Sequence, residues 1–127
     1  MTIKPGVELL AESLGEGPPV ERHKHYRVRL RMWLRGGDPV RWETLEHSQG
    51  DEAGDETTLI RDTRVDRVSL IAGLFYGIQG MRVGGTRTLR IAPHLAYGER
   101  GLPGRVPANA VLTVEIRVLS ERPALNY

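Results

Sequence analysis

The residues that could carry covalent or acid–base chemistry are few in this chain, and none stands at a spacing that performs it. Four serines are present (Ser13, Ser48, Ser69 and Ser120), and no Gly-x-Ser-x-Gly elbow surrounds any of them. The glycines of Gly80-Met-Arg-Val-Gly-Gly85-Thr lack the Lys-Ser/Thr pair of a phosphate-cradling loop and read as turn formers. His23 and His25 can share a face at a strand entrance, but no further ligand spacing accompanies them. Asp51-Glu52 and Asp55-Glu56 lack the alternating ligands and central glycine of a calcium loop. With no cysteine in the chain, thiol nucleophiles, disulfides and cysteine-ligated metals are excluded. Neither a metal nor a cofactor is expected. Nothing in these residues announces acid–base, metal or nucleophilic catalysis.

Charge narrows the partners. Lys+Arg is 18 against 16 for Asp+Glu, a net of +2. That balance is too slight to imply a nucleic-acid partner. Its distribution is uneven: Glu43 to Glu56 holds six acids and neither Lys nor Arg, whereas Arg22 to Arg41 is strongly basic. The length of 127 residues, with 39% hydrophobic and 27% charged, predicts one folded domain over 1–127 with a core of its own. The longest apolar stretch, Leu70–Phe75, is too short for a membrane span. Met1-Thr-Ile-Lys-Pro-Gly6 lacks the apolar core of a secretory signal, so a soluble, cytoplasmic monomer with no membrane partner is expected.

The elements that must position any site follow from periodicity. Val7–Leu14 reads as a candidate strand, ended by Gly15-Glu-Gly-Pro-Pro19. Tyr26–Leu34 alternates most cleanly, with Tyr26, Val28, Leu30, Met32 and Leu34 on one face and Arg27, Arg29, Arg31 and Trp33 on the other. Gly36-Gly37-Asp38-Pro39 turns the chain, and Val40–Trp42 is expected to return as a short strand. The acidic run at about 43–56 reads as a surface loop. Thr57–Ile60 is a further short strand, and Asp62–Arg67 is ambiguous. A helix is predicted over Ser69–Gln79 from the spacing of Leu70, Ile71, Leu74, Phe75 and Ile78. Ser69 or Asp66 would cap it and Gly80 would end it. Gly73 and Gly77 weaken that helix, so packing must hold it. Thr86–Ala92 and Val111–Leu119 alternate as strands around a Pro/Gly-rich ordered loop, Pro93–Ala110. Many short strands and one helix make an α+β domain.

One long run carries a resemblance. Gly80-Met-Arg-Val-Gly-Gly-Thr-Arg-Thr-Leu-Arg-Ile-Ala-Pro-His-Leu-Ala-Tyr-Gly98, then Val106-Pro-Ala-Asn-Ala-Val-Leu112 and Val114–Leu119, resembles the FKBP family of peptidyl-prolyl cis-trans isomerases. Leu70-Ile-Ala-Gly73 is similar to the sequence that opens that family's helix, and Val7–Gly17 and Val28–Gly37 fall where its first strands belong. The resemblance implies a twisted antiparallel sheet of five to six strands wrapped around one short helix. It also implies an apolar pocket between sheet and helix that receives a proline ring.

For the site, the resemblance implies that the Ile71 backbone N–H and the Tyr97 hydroxyl donate to substrate carbonyls. Leu30, Val40, Leu70, Leu74, Val106 and Val114 would line the pocket. Such a site needs no nucleophile, because the reaction is rotation about an amide with a barrier of roughly 18–20 kcal/mol. The departures from the family pattern lie in the pocket. Leu30, Val40, Leu74 and Val114 stand where the family has Tyr, Phe, Trp and Phe, Arg41 stands where it has Asp, and Ala92 replaces the first proline of a Pro-Pro pair. Trp42 is the nearby residue that could return an aromatic ring. An aliphatic pocket stays apolar but should be wider, less rigid and poorer in stacking contacts. Weak isomerase activity on proline-containing peptides or folding polypeptides is therefore expected, with weak binding of the macrolides tacrolimus and rapamycin. The alternatives are a non-catalytic module binding proline-containing segments or a partner protein, and a basic-face interaction domain built on Arg22–Arg41.

Overall fold

The computed structural model describes residues 1–42 and 56–124; the acidic run expected as a loop at about 43–56 lies, apart from Glu56, outside the described residues. Six strands and one helix follow in chain order: β1 (Thr2–Lys4), β2 (Val7–Ser13), β3 (His25–Leu34), β4 (Leu59–Arg64), α1 (Ala72–Ile78), β5 (Thr86–Ile91) and β6 (Leu112–Arg122). They form one antiparallel sheet in the order β1-β2-β5-β6-β3-β4. The expected α+β architecture, a sheet of five to six strands with one short helix, is what the chain adopts.

The centre of the sheet is the β3–β6 pair, where the two cleanest alternations meet in register. Val28 faces Val118, Leu30 faces Ile116, Met32 faces Val114 and Leu34 faces Leu112. All but the half-buried Leu34 are buried, so one continuous apolar face is offered to the helix. A bulge between Arg27 and Val28 shifts the register beyond that point.

The helix is shorter than the spacing predicts. Residues 69–71 are not helical, because Asp66 Oδ1 accepts the N–H groups of Val68 (3.0 Å) and Ser69 (2.7 Å) and holds them in a turn. Asp66 thus caps the turn ahead of the helix, and neither it nor Ser69 caps α1 itself. The two glycines are explained by close approach. A Cβ on Gly73 would lie 2.4 Å from Ile91 Cγ2, and one on Gly77 2.4 Å from Leu89 Cδ1. The helix rests on β5 at a distance that only glycine permits. Its far end is tied down by Arg87, whose Nη1 donates to the carbonyls of Gly77 (2.9 Å) and Gln79 (2.6 Å). Gly80 ends it at φ 84°.

Three further expectations change. Val40–Trp42 forms no strand, and only an isolated bridge joins Pro39 to Trp33. The strand expected at Thr57–Ile60 runs instead from Leu59 through the ambiguous stretch to Arg64, because β3 offers it partners as far as His25. The last strand continues past Leu119 to Arg122 for the same reason. β1 was not anticipated: three residues are too few for periodicity to register, and pairing with β2 forms the strand.

Candidate functional site

The apolar face of the sheet, α1 and the loop from Ala92 to Ala110 all contribute to one hydrophobic core, and the candidate site lies where the three meet. Leu30, Val40, Leu70, Leu74, Val106 and Val114 are all buried in one apolar cluster, so the structure brings together the six positions predicted to line a pocket. Register explains the floor: Val114 lies between Met32 on β3 and Leu89 on β5, all three fully or nearly fully buried. Val40 is drawn in by its N–H, which donates to the Met32 carbonyl at 2.8 Å.

The two predicted donors stand at the edge of this cluster, half-buried and packed against it. Ile71 occupies the N-cap position of α1 with extended backbone (φ −59°, ψ 152°). Its carbonyl accepts from Leu74 and Phe75, while its own N–H has no partner among the described residues. Tyr97 follows a short 3-10 turn, Pro93–Leu95, that the loop begins with. The backbone of the loop is held across itself. Asn109 N–H donates to the Gly98 carbonyl (2.8 Å), and Leu102 and Val106 exchange two bonds of 2.8 Å. The Tyr97 hydroxyl has no hydrogen-bond partner among the described residues. Burial raises its pKa above the ordinary phenol range, partly opposed by the charges of Arg61 and Arg105. The phenol therefore stays protonated at neutral pH and is available as a donor.

Arg41 is exposed and its guanidinium pairs with the Glu56 carboxylate, which draws it away from the apolar lining. Trp42 is half-buried against the core, with Arg105 over its ring at 5.4 Å. Its indole N–H is buried and has no hydrogen-bond partner among the described residues. An aromatic ring does pack beside the cluster, two residues after Val40, which stands where the resemblance has a Phe.

The arginines on the other face of β3 are engaged across the sheet. Arg27 Nε donates to Asp62 Oδ1 (2.8 Å), Arg29 and Arg31 reach the Glu115 carboxylate at 3.4 and 3.5 Å, and Arg31 also donates to the Thr58 hydroxyl (3.1 Å). His23 Nδ1 lies 3.5 Å from Arg64 Nη2. Among the described residues no group of three or more His, Asp or Glu side chains could hold a metal.

Sequence reasoning missed Arg61 and Arg105, the two cations beside Tyr97. Arg61 was hidden by ending the β4 strand at Ile60. Had the alternation been continued, it would have followed Leu59 onto the same face.

Comparison with known proteins agrees with this geometry. A model of the FKBP-type peptidyl-prolyl cis-trans isomerase family matches residues 52–119. FK506-binding protein 4 of Aspergillus fumigatus is 45% identical over 114 residues, covering 90% of this chain and 21% of that relative. Its namesake in Aspergillus oryzae is 41% identical over 114 residues, covering 90% of this chain and 22% of the relative. The chain thus spans about a fifth of the length of these relatives. Among solved structures, the N-terminal domain of FKBP42 from Arabidopsis thaliana superposes with a TM-score of 0.72 at 18% identity, covering 97% of this chain and 91% of that one. A peptidyl-prolyl cis-trans isomerase from Pseudomonas syringae gives 0.64 at 23% identity, covering 94% and 84%.

Proposed function

The chain belongs to the family of FKBP-type peptidyl-prolyl cis-trans isomerases, and on that premise we propose that residues 1–127 act as one such domain, binding proline-containing segments and accelerating rotation about their Xaa–Pro bonds. The observation that carries this reading is the pairing of an apolar cluster with two donors at its edge, the Ile71 N–H and the Tyr97 hydroxyl, neither of which has a partner among the described residues.

The chemistry follows from what rotation requires. A planar imide loses its resonance, and with it much of its dipole, as the C–N bond twists. A dry aliphatic surface around the proline ring solvates the twisted form relatively better than water does. The Ile71 N–H and the Tyr97 hydroxyl hold the flanking carbonyls, so that the ends of the segment stay fixed while the bond turns. No proton is transferred and no covalent intermediate forms.

The rate should be modest. Leu30, Val40, Leu74 and Val114 fill the lining without rings, and all are nearly inaccessible, so a proline ring must displace side chains to enter. The same closure supports a second reading, a module that binds proline-containing segments without turning them over. Tacrolimus and rapamycin should bind weakly, because a closed aliphatic lining offers few stacking contacts.

The test is an NMR titration of the whole chain with a Leu-Pro peptide. Binding at the proposed site shifts the amides of Ile71, Tyr97 and Val106 together, and tacrolimus in excess competes. Shifts confined to β3 and β6 on their arginine-bearing face would reject the site and favour the basic-face alternative.

A further inference from the structure

At the β4 edge of the cluster stands an exposed cation, Arg61. It makes no hydrogen bond or ion pair with any described residue. Leu59 faces the pocket residue Leu30 in the β3–β4 register, and the two-residue repeat of a strand carries Arg61 onto the same face, about 7 Å further on. Its charge is close enough to Tyr97 to act on the hydroxyl's ionisation. Arg61 also lines a groove of about 580 Å³ that includes Arg64, Asp62, Asp66 and Ser69, and Ser69 leads directly into Leu70 and Ile71.

The acids of that groove are already engaged within the fold. Asp62 pairs with Arg27 at 2.8 Å and with Arg122 at 3.7 Å. Asp66 accepts two backbone N–H groups and lies 3.5 Å from Arg64. Arg105, the other cation beside Tyr97, lies over the Trp42 ring. Of these groups it is Arg61 that has no partner among the described residues, and its charge is positive. Successive residues of an extended peptide advance at most about 3.6 Å. The neighbour of a proline seated in the pocket is therefore within reach of the guanidinium.

We propose that the site selects proline-containing segments with an aspartate or glutamate next to the proline, the carboxylate pairing with Arg61. This inference rests on the pocket reading above. It makes Arg61 a specificity-determining residue and the substrate class an acidic one.

The experiment measures affinities of the whole chain for peptides that differ only in bearing Glu, Gln or Lys beside the proline, on either side of it. An exposed ion pair predicts that a Glu peptide binds roughly 1.5- to 5-fold more tightly than its Gln counterpart, with Lys weakest. The preference should shrink at high salt, fall to about unity in Arg61→Gln and survive largely in Arg61→Lys. Equal affinities for Glu and Gln peptides, or a preference that persists in Arg61→Gln, would overturn the inference while leaving the pocket intact. If none of these peptides binds, the pocket reading falls with it.

Discussion

At the scale of single residues, the account turns on one hydroxyl and a few aliphatic side chains. Tyr97→Phe removes the phenolic donor and keeps the ring that packs against the core. Loss of one hydrogen bond to the reacting segment should lower kcat/KM roughly 2- to 10-fold, with the circular dichroism spectrum unchanged. An unchanged kcat/KM would mean that the hydroxyl makes no bond to the reacting segment. Leu74→Ala has the opposite profile. The side chain is buried among other aliphatics, so truncation should cost about 2–5 kcal/mol of stability, read from denaturant midpoints. The burial of these aliphatics was legible by counting, Leu30 and Val40 from Gly37, Leu74 from Gly73, and Val106 and Val114 along the run that begins at Gly80. Arg61 was not, since its function lies in where a strand ends rather than in any motif.

At the scale of elements, the helix shows how packing overrides propensity. Gly73→Ala and Gly77→Ala both improve intrinsic helix propensity by up to about 1 kcal/mol. Gly73 nevertheless meets the branched Ile91 side chain at Cγ2, Cδ1 and Cγ1, whereas Gly77 meets the tip of Leu89, which can rotate. Gly73→Ala should therefore be destabilising by about 1–3 kcal/mol, and Gly77→Ala distinctly less so, in thermal or urea unfolding. Similar effects at the two positions would contradict the close approach of α1 to β5.

The turn before the helix makes a separate prediction. Hydrogen bonds from the Ser69 and Val68 backbone, led by Ser69, hold the Asp66 carboxyl below the usual carboxylate range. A depressed folded-state pKa gives stability that is present above the unfolded value near 4 and lost as pH falls through the folded one. Asp66→Ala should cost about 1 kcal/mol at neutral pH, and the difference from the wild type should vanish in acid below that window. Periodicity read this turn as the first part of the helix because Leu70 and Ile71 have helical spacing. What it could not see was the competition from a side-chain acceptor three residues earlier.

At the scale of the whole molecule, the sheet order follows from pairings between residues distant in sequence. β3 meets β6 across more than half of the chain, and β6 lies between β5 and β3 with both edges paired. Amide hydrogen exchange should accordingly be slowest in β3, β5 and β6, and fastest in the three-residue edge strand β1. Strands with clean alternation, β3 and β6, were readable from the sequence. The strand order and the extension of β4 were not, because a neighbour's backbone decides where pairing stops. The same arrangement gathers Leu30, Leu74, Tyr97 and Val114, from four separate segments, around one apolar cluster. Whether this cluster turns Xaa–Pro bonds is read from a cis-to-trans relaxation assay on Leu-Pro and Glu-Pro peptides. Ile71→Asp serves as the control, since an aspartate is well tolerated at a helix N-cap but sets a carboxylate at the pocket edge. The account predicts acceleration in proportion to protein concentration, lost in folded Ile71→Asp. Relaxation at the uncatalysed rate with both peptides at high protein concentration, or acceleration undiminished in Ile71→Asp, would contradict it.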